Sequence, residues 1–306
     1  MSELNYEHVF DVLVDKTAEY VTENNLKATV LGISGGIDST VVAAICHEVS
    51  KKTGIPLIGR SLPIKNKSDE FATSVHVGEA FCNEFSVYRL ERSYRAALFD
   101  ACADAGDVNM ANSYYLDELE EMPSRTPIAN GNLQARCRMS HLYDIASRHK
   151  GLVMSTDNQT EYQLGFWTIH GDVGDFDPIQ DLWKTEVYGL AKWISNRYKN
   201  IEHHHTIMTG AGSKSDAIEL SIALTPTDGL GISNSDLDQI GAKDYATVDD
   251  ILQTATNNIF DSTGRWVQPL MEKYSEDVVV KVLSRHVASE FKRKKAPIYI
   301  SRELYE

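Results

Sequence analysis

Near the N-terminus the apolar positions change period twice. From 7 to 23, Val9, Phe10, Leu13, Val14, Thr17, Tyr20 and Val21 recur at helical spacing, which predicts an amphipathic helix. Residues 28–33 then run apolar without a break, Gly35 and Gly36 interrupt them, and 40–49 returns to a helix rich in Val, Ala and Ile. Strand, glycine turn and helix form the first half of a βαβ unit. A second strand is predicted at 57–62, followed by a helix over 68–81 with Ser68 as its cap and Asp69 and Glu70 in its first turn. A third strand is expected at 86–90, a helix over 133–148 and a buried strand at 151–155. The acidic, Pro-bounded stretch 103–130 reads as a long excursion from the core. Alternation of strands and helices over 28–195 predicts an α/β fold, a doubly wound, mostly parallel sheet flanked by helices, with ligands at the carboxyl ends of the strands. Beyond Asn196 the pattern weakens, and two or three C-terminal helices are expected to complete the site within one domain spanning 1–306.

Composition adds limits. The chain has 306 residues, 42% hydrophobic and 24% charged, ordinary usage for a folded enzyme. No stretch approaches the ~20 apolar residues that span a bilayer, and the N-terminus lacks the features of an export signal, so a cytoplasmic protein is expected. Cys46, Cys82, Cys102 and Cys137 are widely spaced without a C-x-x-C pair, as in a reducing compartment. A net charge of -14 repels nucleic acid and acidic membranes, so no such partner is expected, and any anionic ligand needs local cations or a metal.

One segment points to such a ligand. Gly32, Ile33, Ser34, Gly35, Gly36, Ile37, Asp38 and Ser39 place small residues where backbone N–H groups converge on an anion at a helix N-terminus. The loop lacks the G-x-x-x-x-G-K-[ST] pattern, which argues against γ-phosphate transfer. His203-His204-His205 invites a metal reading, but consecutive residues do not converge on one ion, and a solvated loop is the better account.

The unbroken S-G-G-x-D-S stretch at 34–39 resembles the pyrophosphate loop of the N-type ATP pyrophosphatases, which cleave ATP between its α and β phosphates. The loop alone does not choose among family members. Further segments do: 131–139 resembles the G-N-x-x-A-R-x-R-M element of the NAD synthetase family, and 155–161 its G-T-D-x-x-E element. Gly165-Phe166-Trp167-Thr168, Gly171-Asp172, Pro178 and Lys184, then Pro226-Thr227 and Glu290-Phe291-Lys292-Arg293, continue in the family's order.

The resemblance implies an adenine-nucleotide α-hydrolase-like fold and an ammonia-dependent synthesis of NAD from deamido-NAD through an acyl-adenylate, with ATP as co-substrate and Mg²⁺ as cofactor. It makes Asp38 and Glu161 the Mg²⁺ ligands, and Thr156, Lys184 and Thr227 ATP contacts beside the loop. Arg136, Asp175 and Lys292 become deamido-NAD contacts, and Asp172 the residue that receives ammonia. A glutamine-dependent relative is expected to carry a fused glutaminase domain, for which too few residues precede Ser34, so free ammonia is the expected donor. Family members pair as symmetric homodimers. Ile169 and Phe291 stand where the family has Lys and His, which leaves open a related ligase with another acceptor, and a non-catalytic nucleotide-binding relative is the reading from a different class.

Overall fold

The computed structural model describes residues 4–112, 114–202, 213–225, 235–258, 261 and 263–293. The helix α1 (Tyr6–Glu23) begins at Asn5, whose side chain accepts the His8 N–H at 3.2 Å. Four strands follow in alternation with helices: β1 (Thr29–Gly32), α2 (Ile37–Thr53), β2 (Leu57–Ser61), α3 (Ser68–Phe81), β3 (Glu84–Val87), α4 (Glu91–Asp104), α5 (Leu116–Glu120), α6 (Pro127–His149) and β4 (Leu152–Val153). All pairings are parallel in the order β3-β2-β1-β4, with Thr29 opposite both Leu57 and Leu152. Winding reverses between β1 and β4, so a crevice opens at their carboxyl ends, where the glycine loop lies.

Alternation along the strands divides the core. Leu31, Leu57 and Leu152 pack with Phe10 of α1, Val41 and Ile45 of α2 and Val77 of α3 on one face. Val30, Ile58 and Val153 pack on the other with Tyr94 and Leu98 of α4, Leu119 of α5 and Leu142 of α6. Each such aliphatic side chain removed from water contributes about 1.5–3 kcal/mol, so both faces hold the sheet. The fold is therefore the doubly wound α/β sheet that the pattern predicts.

Beyond the sheet come α7 (Gln159–Leu164), α8 (Lys184–Glu202), α9 (Lys214–Ala223), α10 (Asp236–Ile240), α11 (Tyr245–Asn257), α12 (Val267–Tyr274), α13 (Glu276–Ala288) and α14 (Glu290–Arg293). Among the described residues six of these, α9 to α14, begin beyond Asn196, against the two or three helices expected there. α8 and α9 join the first core face through Val187, Leu190 and Ile218. The others build a third apolar cluster in which Leu164 meets Ile240, Val248, Leu252, Leu270 and Val279.

Several boundaries differ from the sequence pattern. Helix α6 starts six residues before 133, because Thr126 caps it by accepting the Ala129 N–H at 3.1 Å and Pro127 occupies its first turn. The 103–130 stretch is not wholly an excursion: α4 reaches Asp104, and Leu119 of α5 is fully buried in the second core face. Among the described residues no helix is long and apolar enough to cross a membrane.

Candidate active site

A cavity of about 330 Å³ opens over the carboxyl ends of the strands. Its floor is the predicted loop, and Gly32, Ile33, Ser34, Gly36, Ile37, Asp38 and Ser39 all line it. Gly35 turns the chain with φ +91°, and a Cβ there would lie 2.5 Å from the Glu70 carbonyl oxygen of α3. Only glycine fits both the conformation and the space. Gly36 then caps α2 without a side chain, leaving the first-turn N–H groups directed at the cavity. The hydroxyls brace the loop: Ser34 Oγ accepts the Gly36 N–H at 3.1 Å, Ser39 Oγ donates to the Gly36 carbonyl at 3.0 Å, and Thr40 Oγ1 lies 2.7 Å from Ser221 Oγ of α9.

Beside the loop, three charged groups from three helices converge. Lys184, at the start of α8 and 2% exposed, donates to Asp38 at 2.6 Å and to Glu161 at 3.0 Å. Asn158 fixes the geometry twice over. Its side chain accepts the Glu161 N–H at 3.1 Å, and its amide donates to Asp38 at 2.9 Å. Burial works against the Lys184 charge, but Asp38 and Glu161 outweigh it and hold the ammonium well above the ordinary lysine range. Burial pushes Glu161 up to about 7, with Lys184 pulling the other way. The Tyr245 ring of α11 faces the ammonium, with its centroid 5.7 Å away.

The far wall is acidic as well. Burial, then the neighbouring Asp172 and Glu161 charges, push Asp157 well above the carboxylate range. Asp172 is open to the cavity but walled by protein, and burial raises it to about 6 although the Thr168 N–H bonds it at 2.7 Å. Around the whole cavity Asp38, Glu70, Asp157, Glu161, Asp172 and Asp236 outnumber Arg60, Arg138 and Lys184. A triphosphate entering this wall needs cationic help beyond the side chains.

The residues fit a divalent cation. Among the described residues no cluster of three or more His, Cys, Asp or Glu could hold a metal alone. Two hard carboxylates, Asp38 and Glu161, converge beside the Lys184 ammonium and both line the cavity, so a cation next to that ammonium would meet the pair. Mg²⁺ is commonly bound by one or two carboxylates together with substrate phosphates, which is the donor set on offer.

Of the other residues singled out from the sequence, Thr156 lines the cavity and Thr227 lies outside the described residues, as does the histidine run at 203–205. Arg136, Asp175 and Lys292 are absent from the cavity wall and engaged elsewhere. The Arg136 guanidinium, exposed, donates to the Ile169 carbonyl at 3.1 Å. Asp175 accepts the Tyr143 hydroxyl at 2.6 Å and ties its segment to β4 through the Val153 N–H. Lys292 donates to the Gly165 carbonyl at 2.7 Å and to that of Trp167. Phe166 lines the cavity beneath the Arg285 guanidinium, 3.6 Å from its ring centre, whereas the indole N–H of Trp167 is buried without a partner.

Arg138 takes the place on the wall that Arg136 does not. It donates to the Leu62 carbonyl at 3.0 Å and to Asn66 at 3.3 Å. The signal was present: Ala135, Arg138, Met139 and Leu142 follow i, i+3, i+4, i+7 and share one helical face, and all four line the cavity. Arg136, one position past Ala135, points elsewhere. Asp157, within the 155–161 motif, also lines the cavity, and Asp177, outside that lining, has one carboxylate oxygen buried and unpartnered.

Comparison with known proteins places this geometry. A family model described as NAD synthase matches residues 9–296. The curated NH(3)-dependent NAD(+) synthetase of Wolinella succinogenes is 30% identical over 236 residues, covering 74% of this chain and 76% of that one. The glutamine-dependent NAD(+) synthetase of Aquifex aeolicus is 28% identical over 297 residues, covering 95% of this chain and 45% of that protein. Among solved structures, the NMN synthetase of Francisella tularensis superimposes with a TM-score of 0.69 at 22% identity, covering 98% of this chain and 100% of that one, a likeness of fold.

Proposed function

This chain belongs to the NAD synthase family of ligases, and from that premise we propose that it amidates deamido-NAD with ammonia, converting ATP to AMP and pyrophosphate through an acyl-adenylate. The observation that carries the reading is the convergence of Asp38 and Glu161 beside the open N-terminus of α2. Asp38 and Glu161 would hold Mg²⁺ together with the triphosphate, and the ion would supply charge neutralisation for the departing pyrophosphate. The N–H groups of the 36–39 turn bind the phosphates electrostatically, and Gly35 and Gly36 keep side chains out of their way. Lys184 keeps Asp38 and Glu161 facing each other and works against the burial that raises Glu161.

The substrate carboxylate attacks the α-phosphorus, making AMP the leaving group that a free carboxylate lacks. Asp172, on the cavity wall and raised by burial to about 6, is ionised at neutral pH yet a stronger base than an ordinary aspartate. That suits it to draw ammonium in and take its proton as the amide forms. Pairing of two copies about a twofold axis, with a cytoplasmic setting, belongs to the same reading.

The purified chain is tested with Mg²⁺, ATP and either ammonium or glutamine, against deamido-NAD and nicotinate mononucleotide. Ammonium-dependent NAD from deamido-NAD, with AMP as co-product, is the expected result. Glutamine serving as well as ammonium would overturn the nitrogen source, and turnover of the mononucleotide alone would overturn the acceptor.

A further inference from the structure

The first turn of α8 has donors that its own sequence does not satisfy. The Lys184 N–H donates to Thr160 Oγ1 at 2.9 Å, and the Thr185 N–H donates to Asp249 at 2.9 Å. Thr160 in turn donates its hydroxyl to the other oxygen of Asp249 at 2.5 Å. Asp249 belongs to α11, sits between the buried Val248 and Ile251 of the third apolar cluster, and is itself only 2% exposed. One carboxylate thus caps α8 from another helix and grips α7 beside it, with the favourable sign for a helix N-terminus. Both helices begin at the site: Lys184 is the first residue of α8, and Glu161 directly follows Thr160 in α7.

We infer that Asp249 is a positioning residue for Mg²⁺·ATP, a buried strut that sets the separation of Glu161 and Lys184 through Thr160 and the α8 amides. The inference rests on reading Asp38 and Glu161 as the metal-holding pair. A buried charge accepting two hydrogen bonds is fixed in place, because any shift leaves an oxygen or a donor unpaired in a dry environment. Its reach explains how helices remote in sequence act on the nucleotide site: α11 touches neither Asp38 nor the loop in this bond network, yet holds the helix ends that carry their partners. Groups one layer outside a metal's ligands typically change metal affinity by about 10- to 100-fold when removed.

Calorimetric titration of the 306-residue chain with ATP, in the presence and absence of Mg²⁺, tests this without relying on turnover. Asp249→Asn and Thr160→Val should each weaken binding of Mg²⁺·ATP by about 10- to 100-fold while changing metal-free ATP binding far less. Thr160→Ser, which keeps the hydroxyl, should bind like the unmodified chain, and the double variant should be little worse than either single one. Variants that melt normally and bind Mg²⁺·ATP normally would overturn the strut, as would equal loss with and without metal, or fully additive losses. If Asp249→Asn does not fold, the Thr160→Val and Thr160→Ser pair carries the same comparison. An unmodified chain whose ATP binding ignores Mg²⁺ would remove the metal-holding reading itself, and the strut with it.

Discussion

The phosphate loop and the three residues assigned by resemblance to the acceptor came from the same sequence comparison, yet they stand differently in the structure. Gly36, Ile37, Asp38 and Ser39 line the cavity, whereas Arg136, Asp175 and Lys292 are turned to carbonyls, a hydroxyl and a backbone amide of the protein itself. The loop is specified by local rules: a strand end, a positive φ at Gly35 and a helix start. The acceptor set depends on where loop 165–177 lies, and that is decided by distant partners. Lys292 holds the Gly165 and Trp167 carbonyls, while Arg285 and Arg293 hold those of Leu164 and Gln163. The local motif is therefore placed by its own sequence, whereas the acceptor set is placed by contacts remote in sequence.

The widest gap between the two regions should show in Asp38→Asn and Glu161→Gln. Each is expected to lower acceptor-dependent AMP formation by at least about 100-fold, the scale of losing one preorganised electrostatic group at a reacting phosphate. Circular dichroism and a melting curve establish that the fold survives. Near-normal turnover in either variant at saturating Mg²⁺ would erase the distinction.

Lys292 sharpens the other side. As a clamp it should act on geometry, so Lys292→Met is expected to slow the amide-forming step by roughly 10- to 100-fold while leaving KM for the acceptor nearly unchanged. Arg136→Ala, which removes an exposed guanidinium from one carbonyl, should alter kcat/KM by no more than about threefold. A selective rise in acceptor KM for Lys292→Met would return that lysine to the substrate.

The smallest expected effect is on stability. Asp177 is raised by burial from 3.8 to about 7, and its Oδ2 has no partner. Because the folded protein holds that proton more tightly than the unfolded chain, the favourable contribution is complete below about pH 4 and is lost as pH rises through about 7. Asp177→Asn, which mimics the protonated acid, should melt above the unmodified chain near pH 8, with the gap closing by about pH 5. A gap that widened on acidification would reverse the sign.

Much of this was legible in advance, and the misses have physical causes. β1, the loop, α2, β2 and α3 follow from a change of hydrophobic period punctuated by glycine, and they occur where expected, although Lys67 and not Ser68 is the N-cap of α3 and no side chain caps it. Helix α4 was overlooked although Tyr94, Leu98 and Cys102 form a buried stripe at four-residue spacing, because a stripe one residue wide gives a weak pattern amid Arg and Asp. The start of α6 was placed late because Pro127 was read as a break instead of a first-turn residue. At the site, Asp38 and Glu161 meet as the two carboxylates were expected to, with Lys184 between them. Arg138, which lines the cavity, was readable from its helical spacing to Ala135, Met139 and Leu142. Asp249 carries no local signature, since an aspartate inside an amphipathic helix reads as solvated until the helix packed against it is known.

The central claim, that this cavity adenylates a carboxylate before ammonia arrives, is tested most directly by isotope. Deamido-NAD carrying ¹⁸O in its nicotinate carboxylate is incubated with the chain, Mg²⁺, ATP and ammonium, and the AMP is examined by mass spectrometry. An acyl-adenylate bridges through a carboxylate oxygen, so the AMP released should carry one ¹⁸O. Unlabelled AMP alongside full conversion to NAD would contradict the account.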